Sequence, residues 1–131
     1  MSEERTVERE RVIDAPAEEI WEALTDERLL SEWLGDDVEL EPHEDGELAV
    51  RTQGEERTGT VERIDPGREL SFSWSGDGDA PSLVTLTLEP AIAGTRVRVV
   101  ERAGSGPAAI SGHAWAERLH ALADAATLAL V

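Results

Sequence analysis

His113, Glu117, His120 and Asp124 fall at i, i+4, i+7 and i+11, a single row if the segment is helical. Two imidazoles and a carboxylate are a zinc-type donor set. At about 100° per residue, however, this row lies opposite Trp115, Leu119 and Leu122, so it faces water if those three face a core. A solvent-facing row lacks the converging geometry that a metal requires, and no metal or other cofactor is expected. His43, Glu44 and Asp45 read as a polar hairpin tip. Ser105 stands in GSGP, without the G-x-S-x-G elbow and without a clear base. GDGDAP at 76–81 has two glycines, no third and no helix after it, so it is not a dinucleotide fingerprint. Arg51, Arg57, Arg63 and Arg98 lie in strand-like stretches. One of them pointing inward would bind a ligand carboxylate, but among so many acids surface placement is the expectation. No inward acid–base pair emerges, so catalysis is not expected.

The missing residue types exclude more. The chain has 131 residues and no cysteine, so disulfide and thiolate chemistry are absent. Lys is absent too, which removes Schiff-base catalysis and a Walker-type phosphate loop. With no Tyr, a common general acid is lost. Twelve arginines face 29 acids, for a formal charge of -17. Phosphate backbones and anionic bilayers are repelled by such a surface, so neither nucleic acid nor membrane is an expected partner. The acids are spread along strands and helices, the pattern of a solvated face, and salt adaptation and a GC-rich genome both fit an acidic, Lys-free surface. The charged start MSEERTVERER has no apolar segment like that of a signal peptide, and no run is long enough to span a bilayer; cytoplasmic residence is the expectation.

The elements that position the candidates follow from periodicity. Residues 4–13 alternate as a first strand. IDAPAEEIWEALTDERLLSEWLG at 13–35 then reads as a strand end and two short helices. Pro16 suits a first helical turn, Glu18 and Glu19 suit the helix dipole, and Ala17, Ile20, Trp21 and Leu24 form a buried stripe. Thr25 or Asp26 caps a second helix carrying Leu29, Leu30, Trp33 and Leu34, which Gly35 ends in a left-handed conformation. Trp21 and Trp33 fit plain core packing; Trp33 also fits a cavity wall.

Six strands follow, near 37–42, 46–53, 57–64, 68–75, 82–90 and 95–102, with turns at HEDG, GEE, DPG, GDGDAP and AIAG. Val61 and Ile64 differ in parity, which points to a bulge. Leu70, Phe72 and Trp74 share one face, as do Val84, Leu86 and Leu88, and Val97 with Val99. Such one-sided alternation marks an antiparallel sheet with one covered face. A closing helix over about 111–127 presents Trp115, Leu119, Leu122 and Ala126; Leu128, Leu130 and Val131 fall out of phase and fit fraying or contact with another chain. The expected organisation is α+β, one domain over 1–131, with an antiparallel sheet wrapped around a long C-terminal helix.

Ala15-Pro16, Ile20-Trp21, Leu24-Thr25-Asp26, Leu30, Trp33, Gly59, Val61, Asp65-Pro66, Leu70, Phe72, Trp74, Ala114-Trp115 and Leu119 stand in an order that resembles the START-like SRPBCC superfamily. The resemblance is to the branch named after activators of the ninety-kilodalton heat-shock ATPase. It spans nearly the whole chain and implies the helix-grip fold: a curved sheet gripping the last helix, with an apolar cavity between them. Where the branch often has a second aromatic, two glycines and a Gly before the helix Trp, this chain has Leu34, Asp45-Gly46 and Ala114.

The expected site is therefore apolar: Trp33, Val50, Phe72, Trp74, Leu86, Val99, Trp115 and Leu119, which fit a ligand cavity and a filled core alike. The leading expectation is non-catalytic binding of a small apolar molecule by a monomer or weak homodimer. The alternatives are a chaperone-ATPase-associated or other protein-interaction module, and a cyclase- or hydrolase-like enzyme acting in the cavity.

Overall fold

The computed structural model describes residues 5–76, 81–103 and 112–128, with the side chains of 6–76, 81–103 and 114–126. Ser105, most of GDGDAP, the His113 and Leu128 side chains, Leu130 and Val131 lie outside the described residues.

The elements run β1 (Arg5–Ile13), α1 (Ala17–Thr25), α2 (Glu27–Trp33), β2 (Asp37–Leu40), β3 (Glu47–Thr52), β4 (Glu55–Asp65), β5 (Glu69–Ser75), β6 (Ser82–Ala91), β7 (Gly94–Ala103) and α3 (Gly112–Leu128). The strands form one antiparallel sheet in the order β1-β7-β6-β5-β4-β3-β2. After β1 the chain crosses to the far edge through α1 and α2, then returns strand by strand until β7 reaches β1. The α3 helix packs against β1, α1 and α2. This is the α+β helix-grip architecture that the alternation and the helix positions imply.

Local chemistry explains most boundaries. Pro16 is the residue just before α1, not inside it; its carbonyl accepts from the Glu19 and Ile20 amides at 3.1 and 3.3 Å. Ile20, Ala23 and Leu24 are buried, whereas Trp21, at the edge of the stripe, is half-buried. Asp26 is the cap of α2: its carboxylate accepts from Arg28 N at 2.8 Å and Leu29 N at 3.4 Å. Thr25 instead donates to the Trp21 carbonyl. Trp33 donates its indole N–H to the Ala23 carbonyl at 2.8 Å, tying α2 to α1.

Gly35 differs from expectation, because its φ is not in the left-handed region. A Cβ there would lie 2.6 Å from Val50 Cγ1 and 2.8 Å from Thr52 Oγ1, so close approach to β3 is what requires glycine. The GEE turn also shifts: Gln53 and Gly54 turn with positive φ, and Glu55 and Glu56 already belong to β4. The bulge stands where parity placed it, with the β4–β5 register slipping between Val61 and Arg63.

Edge strand β2 is short, and α2 covers it. The Val38 amide donates to Ser31 Oγ at 3.1 Å and the Leu40 amide to a Glu27 carboxylate oxygen at 2.9 Å. Both edge donors are thus satisfied and closed to strand addition. Leu70, Phe72, Trp74, Val84, Leu86, Leu88, Val97 and Val99 meet Trp115, Leu119, Leu122 and Ala126 in one hydrophobic cluster.

The outer surface pairs Arg51 with Asp37 and Glu56, Arg63 with Glu69, and Arg98 with Glu8 and Glu10. These exposed pairs contribute little each and weaken in salt. The net charge of -17 acts in the opposite sense, since self-repulsion is stronger in the compact state. Raising sodium chloride from 0.1 to 1 M shortens the screening length from about 10 to about 3 Å. The melting temperature is expected to rise over that range. A flat or falling trend in a calorimetric series would show that net repulsion does not outweigh the ion pairs.

Candidate ligand-binding site

Period 2 along β7 carries Glu101 onto the same face as Val97 and Val99. Its side chain is buried, with 2% of the residue exposed. Three elements supply donors. Trp74 of β5 gives its indole N–H to one carboxylate oxygen at 2.8 Å, and Ser82 of β6 gives its hydroxyl to the same oxygen at 2.5 Å. Trp115 of α3 gives its indole N–H to the other oxygen at 2.6 Å. An indole N–H can only donate, so a carboxylate is the natural partner for two of them. The contact locks both rings: Trp74 lies edge-on to Phe72 at 5.3 Å between centroids and tilted by 30° to Trp115 at 6.1 Å.

Two cations cover these rings. The Arg57 guanidinium lies 4.8 Å from the Trp74 centroid. That of Arg118 lies 5.5 Å from Trp74 and 4.9 Å from Trp115. Arg57 pairs across the sheet with buried Val50, so it belongs to the covered face, unlike Arg51, Arg63 and Arg98. Burial pushes the Arg118 pKa down and the Arg57 charge adds to that, while Glu101 opposes both.

The eight residues expected to line a cavity are all buried and share the one core cluster. Phe72, Trp74 and Trp115 meet directly. Trp33 also lines a cleft of about 370 Å³ between the end of α2, Thr52 of β3 and the α3 residues Ala114, Glu117, Arg118 and Ala121. Two expectations are corrected. The face is not purely apolar, because Glu101 points inward beside a cation, and Arg57 is not a surface residue of the Arg51 kind. Glu101 stands four residues after Val97, and Ser82 two before Val84, so strict alternation was the signal for both. It was hidden because an acid and a serine near strand ends look like solvent-facing residues.

The other candidates lie apart from this cluster. His43, Glu44 and Asp45 are exposed in the β2–β3 turn, where the His43 ring meets the Glu44 carbonyl. Glu117, His120 and Asp124 are exposed on α3, with His120 3.8 Å from Asp124. Among the described residues no three metal-binding side chains converge, and no helix is long and apolar enough to cross a membrane.

A sheet gripping a C-terminal helix, with polar groups meeting aromatic rings at their junction, defines a helix-grip protein with a candidate pocket. The family model for the Activator of Hsp90 ATPase homolog 1-like protein matches residues 14–127, and the chain belongs to that family. Among solved structures it is similar to protein MLL2253 from Mesorhizobium loti, at 28% identity and a TM-score of 0.83, over 95% of this chain and 98% of that one. CalU16 from Micromonospora echinospora is similar at 24% identity and a TM-score of 0.76, over 99% and 88%. The Aha1 dimer from Colwellia psychrerythraea is similar at 22% identity and a TM-score of 0.78, over 92% and 95%. A comparison with curated protein sequences finds no match.

Proposed function

We propose that the protein binds a small, largely apolar molecule without transforming it, in the space where α3 meets the sheet. The cleft beside α3 carries this reading: it is lined by core residues Trp33 and Leu34 and by Arg118, which reaches over the two inner tryptophans. Trp33, Val50, Phe72, Trp74, Leu86, Val99, Trp115 and Leu119 form the proposed wall. They belong to one packed cluster, so binding among them requires α3 to move from the sheet. Glu101 is a positioning residue in this reading: both its oxygens are occupied by donors, which suits holding two rings in place better than shuttling a proton. The protein works as a cytoplasmic monomer or weak homodimer within a single domain.

A medium-chain fatty acid is expected to shift or quench tryptophan emission saturably. Ala121→Phe places bulk in the cleft, is optically silent beside tryptophan, and sits at a half-buried position. It should remove the ligand response and leave the melting temperature within a few degrees. The reading fails if the parent gives no saturable response, or if the variant binds as the parent does.

A further inference from the structure

Acids outnumber arginines in this chain by 29 to 12, yet not every guanidinium meets a carboxylate. Arg51, Arg63, Arg96 and Arg98 each have carboxylates within 4 Å. Arg9, Arg11, Arg28, Arg57, Arg68, Arg102 and Arg118 have none among the described residues, and of these Arg57 and Arg118 are set apart by lying over the Trp74 ring. Two like charges over one aromatic ring repel each other in a partly desolvated setting. Glu101 does not neutralise them by contact, because its oxygens accept from Trp74, Ser82 and Trp115. The cation–π contacts hold the two forks in place, yet their N–H donors are left for another acceptor.

We propose that Arg57 and Arg118 are the polar end of the ligand site and recognise the carboxylate of a monoanionic amphiphile, an inference that rests on the ligand-binding reading above. A planar carboxylate matches the guanidinium fork in two parallel hydrogen bonds. The cleft that Arg118 lines offers apolar surface from Trp33, Leu34 and Ala121 for the rest of the molecule, and Arg57 stands over the same Trp74 ring as Arg118. The cleft also carries Glu32, Asp36 and Glu117, and the protein's overall charge is -17. These acids oppose polyanions, so a single carboxylate fits better than a phosphate monoester with its nearly double charge.

Octanoate and octanamide differ in charge and little in shape. Their binding would be compared at pH 7.5 in 0.15 M sodium chloride, by titration calorimetry and tryptophan emission. Octanoate is expected to bind about 10-fold tighter or more, as a charge-assisted hydrogen bond implies. Arg57→Gln and Arg118→Gln should each move that ratio towards one, by weakening octanoate more than octanamide. Arg118→Lys should keep part of the preference, since it retains the charge and loses the fork. Equal affinity for both ligands in the parent overturns the inference but leaves the ligand-binding reading standing. An unchanged ratio in the glutamine variants also overturns it. Binding of neither ligand overturns both. Far-ultraviolet circular dichroism checks each variant's fold, and if Arg118→Gln is unfolded, the ratio in Arg57→Gln decides.

Discussion

Replacing Glu101 by Leu is expected to lower the unfolding free energy by about 3–5 kcal/mol, far more than a typical substitution of a surface acid. The carboxylate joins β5, β6, β7 and α3 through Trp74, Ser82 and Trp115. Leucine would fill most of the volume but leave two buried indole N–H groups without an acceptor. Each such orphan costs about 1–3 kcal/mol. The Ser82 hydroxyl can rotate towards another acceptor, so its share is smaller. Glu101→Gln is a milder test. Its carbonyl oxygen can serve Trp74 and Ser82, but its amide group would face the Trp115 N–H, donor against donor, so a loss of roughly 1–3 kcal/mol is expected. Trp115→Phe added to Glu101→Leu removes one orphan, and the double variant should lose less than the two single losses combined, by about 1 kcal/mol or more. Urea unfolding followed by circular dichroism measures the parent and the four variants, Trp115→Phe alone included. A loss below about 1 kcal/mol for Glu101→Leu would mean that the network does not hold α3 to the sheet.

The sheet was legible because its apolar residues keep period 2 for long runs. Val84, Leu86 and Leu88 cannot all be buried in any other regular conformation of that segment. The helices were legible from Pro16, from the acid-rich first turn of α1, and from the Asp26 cap. Gly35 is ambiguous in the sequence because a glycine after a helix has two physical explanations, a left-handed turn and a close approach. Only the position of Val50 and Thr52 distinguishes them. The polar centre was the least legible part. A buried acid is rare enough that Glu101 near the end of β7 reads as solvated, and its partners come from three other elements separated by up to 27 residues. Arg57 is one of four strand arginines for which surface placement is the expectation, and nothing local separates it from Arg51. The difference arises from strand parity together with the Trp74 ring on the neighbouring strand. Tertiary pairing, not residue type, places that pair of arginines over one ring.

Gly59→Ala is expected to destabilise the protein by about 3 kcal/mol or more, although it adds a single methyl group. Gly59 lies on β4 directly opposite Trp74 of β5. A Cβ at this position would fall 1.7 Å from the Ser73 carbonyl oxygen, 2.7 Å from its carbon and 2.8 Å from Trp74 Cα. All three are backbone atoms, so no rotamer change relieves the clash and the two strands must part. Strand separation here moves Trp74, and with it the ring that Arg57 and Arg118 cover. The variant should therefore also alter tryptophan emission in the folded state and weaken octanoate binding. Gly54→Ala is the matched control. It has open space around its Cβ and a φ of +85°, so it carries only the backbone penalty of about 1 kcal/mol. Comparing the two by urea unfolding separates steric crowding between strands from the general effect of losing a glycine. If Gly59→Ala proves no more destabilising than Gly54→Ala, then the close approach of β4 to β5 is not what fixes Trp74 beneath the arginine pair.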